Sequence, residues 1–101
     1  MTDDDRNQIA MTMLLAAGHA KQIISAQLDH LTDRAANSDE ISRQMATAHQ
    51  WLVKAHVEQN KLMKDAERVP YSLLLTHAQD TLMNTETIYF LVSKLLPFLE
   101  K

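Results

Sequence analysis

Ile41-Ser42-Arg43-Gln44-Met45-Ala46-Thr47-Ala48-His49-Gln50-Trp51-Leu52-Val53-Lys54-Ala55 sets the fold. Ile41, Met45, Ala48, Leu52 and Ala55 recur every four or three positions, and Gln59, Leu62 and Ala66 continue the series. That spacing is one face of an α-helix, and its regular alternation is the seam of a helix bundle. Gln59 is the polar exception. Upstream, Asn37-Ser38-Asp39-Glu40 reads as a helix start. Ser38 suits the N-cap, and two acids suit the positive end of the helix dipole. The spacing predicts a second helix from there to about Ala66.

The flanks carry the same pattern. Ile9, Met13, Ala16, Ala20, Ile23, Gln27 and Leu31 predict a first helix from about Asp5 to Ala35. Gly18 lies in its middle, where glycine costs about 1 kcal/mol relative to alanine. Either something approaches the backbone closely there, or two helices cross tightly. Glu67-Arg68-Val69-Pro70 is the next break, because Pro70 suits a first turn and not a helix interior. Leu74, Ala78, Thr81, Thr85, Ile88, Val92, Leu95 and Leu99 then predict a third helix from Tyr71 to Leu99, with Pro97 kinking or fraying its end. A second seam runs beside that stripe: Leu73, His77, Asp80, Asn84, Thr87, Leu91, Lys94 and Phe98. Its mixed character fits self-association about a cyclic axis, or a face in solvent.

Bulk composition agrees. The 101 residues suit one domain, residues 1–101, and hold 1 glycine and 2 prolines, so few breakers interrupt long helices. Short links make the three helices antiparallel neighbours, an all-α bundle. So small a chain often gains stability by oligomerising. Net charge is −3, which gives no electrostatic reason to expect nucleic acid. Asp3-Asp4-Asp5 favours a helix start. With no cysteine there are no disulfides, thiolate metal sites or thiol nucleophile. No basic-then-apolar leader and no apolar run of about 20 residues occurs, so a cytoplasmic protein is expected.

The chemistry concentrates in Thr76-His77-Ala78-Gln79-Asp80-Thr81-Leu82-Met83-Asn84. His77 and Asp80 are three apart and share a helix face. A neutral imidazole can take a phosphoryl group on nitrogen, and a carboxylate can hold a cation. Spacing alone equally fits a solvated surface pair. If the seam lay on a symmetry axis, Asp80 would meet its own copies, and gathered carboxylates demand a cation such as Mg²⁺. Late in the second helix, His56 and Gln59 lie opposite the early third helix in an antiparallel hairpin and could approach His77. Gln59 could also be a satisfied polar contact within the bundle. His19, His30 and His49 form no metal motif of the di-iron type. No phosphate-cradling glycine loop or nucleophile elbow occurs. A reactive histidine on a surface fits a relay better than an enclosed active site.

Two runs carry a resemblance: Ala55-His56-Val57-Glu58-Gln59-Asn60-Lys61-Leu62-Met63, and Pro70-Tyr71-Ser72-Leu73-Leu74-Leu75 continuing into His77-Ala78-Gln79-Asp80 and Leu82-Met83. They resemble the lactose/cellobiose-type enzyme IIA of the bacterial sugar phosphotransferase system, over essentially the whole chain. The resemblance implies a three-helix subunit assembling into a homotrimer, a nine-helix bundle. It implies that phospho-HPr phosphorylates His77. The phosphoryl group then passes to a cysteine of enzyme IIB, for a β-linked disaccharide entering through the membrane enzyme IIC. By the same match Asp80 gathers at the three-fold axis around a divalent metal, expected to be Mg²⁺, and Gln79 belongs to the active-site neighbourhood. Thr76 or Gln59 would donate to the added charge. The chain departs from the family pattern at Thr81, where histidine is usual, at Asn60, where threonine is usual, and at Asp65–Val69, which lacks the usual glycine. A non-catalytic helical adaptor and a metal-binding bundle are the alternatives. Within one chain the ligands for the latter are too few.

Overall fold

The computed structural model describes residues 1–31, 37–64 and 72–99. They form three helices and no strand: α1 (Asp3–His30), α2 (Ser38–Met63) and α3 (Leu73–Leu99). The bundle measures 50 × 19 × 18 Å, in keeping with helices of about 40 Å at 1.5 Å per residue. Cross-helix pairs give the direction of each neighbour. His49 meets Tyr89 while His56 meets Glu86, so α2 and α3 run antiparallel. No helix among the described residues is long and apolar enough to cross a membrane.

The helix starts are set by local capping. α1 begins two residues earlier than its spacing predicts, because Thr2 and Asp5 form a capping box. The Asp5 amide donates to Thr2 Oγ1 at 3.1 Å, and the Thr2 amide donates to Asp5 Oδ2 at 3.0 Å. The Thr2 backbone, then its hydroxyl, hold the Asp5 carboxyl below its usual range. A depressed carboxylate stabilises the fold above the ordinary aspartate range and loses that contribution as pH falls through the lowered value. The α2 cap is Asn37, not Ser38. Both residue types cap well, but the extended backbone falls at Asn37, whose Oδ1 accepts from the Glu40 amide at 3.1 Å. Ser72 Oγ accepts from the Leu75 amide at the start of α3. The predicted helix ends at Ala35, Ala66 and Tyr71 lie outside the described residues.

α1 is the centre of the fold. It packs along its length against both partners, whereas α2 and α3 touch at few points. Two buried stripes make this possible: Ile9, Met13, Ala16, Ala20 and Gln27 on one, and Ala10, Ala17 and Ile24 on the other. Its alanines let the neighbouring helices approach closely. The spacing finds the first stripe and misses the second, since one stripe suffices for a helix with one partner. In α3 the core is Ala78, Leu82, Thr85, Val92 and Leu96, while Leu95 and Leu99 are exposed. A strict seven-residue repeat drifts about 20° per heptad from a straight helix. From Leu74 to Leu95 that is roughly 60°, enough to turn Leu96 inward instead. α3 also continues through Pro97 to Leu99. So near the end, the missing amide removes a single helical bond.

Some buried polar groups are satisfied locally, whereas Gln27 Oε1, Glu86 Oε1 and Ser93 Oγ make no hydrogen bond among the described residues. Thr85 Oγ1 donates to the Thr81 carbonyl at 2.7 Å, and Gln27 Nε2 donates to the Ile23 carbonyl at 3.1 Å. A Cβ added at Gly18 would meet nothing within 4 Å, which removes the tight crossing as its explanation within the subunit. Gly18→Ala is therefore expected to stabilise the fold by about 0.5–1 kcal/mol. Urea unfolding at fixed protein concentration checks this, and a destabilised variant would contradict it.

Candidate functional site

α3 turns one continuous face away from the core. Leu73, His77, Asp80, Asn84, Thr87, Leu91, Lys94 and Phe98 are all exposed. The second seam predicted from spacing is thus a real outer face of the subunit. Its composition changes along its length. The half from His77 to Thr87 is polar, while Leu91 and Phe98, with neighbouring Leu95, make the far half apolar. Phe98 is 70% exposed and Leu73 75%.

His77 sits in the second turn of α3, with Asp80 one turn further on the same face. Among the described residues neither makes a hydrogen bond or an ion pair. The imidazole and the carboxylate are therefore exposed and not engaged by any described residue. Among the described residues no three His, Asp, Glu or Cys side chains gather into a metal site. An open groove of about 530 Å³ lies between the start of α1 and the end of α2, lined by Asp5, Gln8, Thr12, Glu58 and Lys61 among others. A second, of about 280 Å³, lies between α2 and the end of α3. Neither is lined by His77 or Asp80.

The other predicted site residues are dispersed. His56 Nε2 lies against Glu86 Oε1, a close contact without hydrogen-bond alignment. Glu86 is nine residues beyond His77 on α3, about 13.5 Å along the axis. Within the subunit His56 is thus held away from His77. Gln59 is three residues closer along α2 and half-buried. At the same register it stays about 9 Å short of the His77 level. Gln79 is half-buried and lies about 200° round α3 from His77, on the opposite flank. Of the departures from the family pattern, Thr81 is half-buried and Asn60 is exposed.

Two arrangements go beyond the spacing. His19 stacks on Trp51 with ring centroids 4.6 Å apart, and Lys54 Nζ lies 5.4 Å from the same ring. The His56–Glu86 contact bridges the helix pair that otherwise touches least. Both depend on the register between helices, which no single-helix periodicity contains.

The chain is similar to known proteins in sequence and in fold. The chain is similar to the lichenan-specific phosphotransferase enzyme IIA component of Bacillus subtilis (strain 168), at 26% identity over 98% of this chain and 91% of that protein. Its fold matches the crystal structure of PtcA from S. mutans with a TM-score of 0.90 and 24% identity, across the full length of both chains. The model of the family described as PTS system, lactose/cellobiose-specific IIA subunit matches residues 8–100. The chain belongs to that family and is a phosphotransferase component.

Proposed function

We propose that this protein relays a phosphoryl group through His77. The open His77 imidazole on the outer face of α3, in a chain of this family, carries the reading. Phospho-HPr is the donor. A ring nitrogen of neutral His77 attacks phosphorus in line, a P–N bond forms, and the bond to the donor breaks. The thiolate of an enzyme IIB cysteine then attacks the same phosphorus, and His77 leaves as neutral imidazole. Because His77 has no bonded neighbour among the described residues, docking partners must supply much of the charge stabilisation. Thr76, half-buried directly before it, offers one hydroxyl. Enzyme IIC admits the sugar, and the relay runs in the cytoplasm. A β-linked disaccharide suits both the family's description and the lichenan specificity of the relative.

The working unit is a homotrimer, nine helices with α3 at the axis. The exposed Leu73, Leu91, Leu95 and Phe98 supply apolar surface for that contact. Asp80 fits a shared site, since it is exposed, without a partner among the described residues, and on the same face. Three copies on an axis present an all-oxygen donor set that suits a hard divalent cation such as Mg²⁺. Such an ion would be structural and would offset the repulsion among the carboxylates.

Intact mass after incubation with phosphoenolpyruvate, enzyme I and HPr tests the relay. One added phosphate per chain is expected, and no gain would favour the non-catalytic adaptor. Asp80→Leu is expected to remove bound metal. Elemental analysis of the purified variant checks it, and a variant that keeps its metal would overturn the role of Asp80.

A further inference from the structure

Thr12, Thr47, Thr85 and Thr87 each turn the side-chain hydroxyl back onto the carbonyl four residues earlier, at 2.7 to 3.2 Å. Helical threonines do this because that carbonyl is the acceptor within their own reach. Thr76 and Thr81 are the remaining threonines of α1, α2 and α3. Neither hydroxyl makes a hydrogen bond among the described residues. Both lie beside His77 in the chain. Thr81 is half-buried, yet its oxygen is not one of the sealed, unsatisfied side-chain atoms, so solvent reaches it. A hydroxyl left out of its own helix keeps a proton to donate.

We propose that Thr81 donates a hydrogen bond to a phosphoryl oxygen on phosphorylated His77. The proposal rests on the relay through His77. Its placement follows from helix geometry. Thr81 falls about 40° round α3 to one side of His77, and Asp80 about 60° to the other. Side chains four residues apart have Cβ atoms about 5–6 Å from each other. Helical side chains also lean toward the N-terminus, so Thr81 tilts over the turn that carries His77. A phosphoryl group on the imidazole brings negative charge, and Asp80 already holds a carboxylate on one flank of that site. Like charges so close repel. A donor on the opposite flank offsets part of that repulsion. A hydrogen bond to a charged acceptor is roughly twice as strong as a neutral one, so the hydroxyl favours the phosphorylated state over the free imidazole. Thr81 keeps its proton throughout. The P–N bond forms and breaks as in the relay, and the Thr81 O–H bond stays intact.

Thr81→Val keeps the β-branched shape and removes the hydroxyl. The full-length protein is brought to phosphoryl equilibrium with phospho-HPr, and intact mass gives the phosphorylated fraction of each partner. Thr81→Val is expected to lower the equilibrium constant for phosphorylation by about tenfold, as loss of a hydrogen bond to a charged group requires. Thr81→Ser is expected to restore it. Thr47→Val, which removes a hydroxyl bonded within α2, should leave it unchanged. The phosphorus NMR resonance of the phosphohistidine is expected to move in Thr81→Val and to return in Thr81→Ser. Melting curves of the unphosphorylated Thr81 variants at equal protein concentration should match the wild type, because this hydroxyl makes no bond within the described fold. An equilibrium and a resonance indifferent to Thr81→Val would overturn the assignment and leave a hydroxyl that only meets water. An equal loss in Thr81→Ser would also overturn it, since side-chain shape and not the hydroxyl would then matter. These results sink Thr81 alone, with His77 still the acceptor. A wild-type protein that takes no phosphate, or a folded His77→Ala protein that does, sinks the relay and this proposal together.

Discussion

His77→Ala is expected to abolish phosphoryl acceptance from phospho-HPr and leave helix content unchanged. The structural half follows from exposure. His77 lies on the outer face of α3 and contributes nothing to the core, and surface truncations of this kind change stability by about 0.5 kcal/mol or less. The chemical half follows from the surroundings of the other four histidines. His19 is stacked on Trp51, His49 lies against Tyr89, and His56 contacts Glu86. His30 ends α1. None shares the outer face of α3, so a partner docked there finds no substitute nucleophile. Intact mass and far-ultraviolet circular dichroism read the two halves separately. Phosphate still bound by a folded His77→Ala protein would move the acceptor elsewhere.

Leu82→Ala carries the largest stability effect. Leu82 is fully buried where α3 docks into the core, with Ala78 and Thr85 in the adjacent turns. Removing its branched end deletes buried apolar surface and leaves a cavity that the small neighbours fill poorly. Such changes cost about 2–5 kcal/mol, against total stabilities of about 5–15 kcal/mol for domains generally. Met83, the next residue, is 62% exposed, and Met83→Ala should change stability by about 0.5 kcal/mol or less. Urea midpoints of the two variants at matched protein concentration test the phase of α3. Equal losses would mean that the core face is misassigned.

Much of this fold is legible along the chain. The stripe Ile41, Met45, Ala48, Leu52 and Ala55 is buried as its spacing requires, and the outer face from Leu73 to Phe98 is exposed throughout. His77 and Asp80 share that face because three residues nearly complete a helical turn, which is a local fact. What the spacing misses is relational. The second buried stripe of α1 exists because two helices pack on it, and the shift from Leu95 to Leu96 comes from helical drift accumulated over several turns. The positions of His56 and Gln59 depend on how α2 slides along α3. Antiparallel direction alone leaves that register open by several residues, and the structure holds His56 at Glu86. Gly18 shows the opposite case, in which the sequence poses a question and the structure removes one of its two answers.

The unequal packing of the three helices has a consequence for synthesis. α1 leaves the ribosome first, and α2 completes one of its two interfaces as soon as it emerges. α3 must reach back across more than 40 residues to find α1, and it gains little from the helix made just before it. Contacts so distant along the chain form late, after the cost of closing the loop is met. A nascent chain thus holds a half-built hairpin with an open apolar flank, and the helix bearing His77 is the last to be seated.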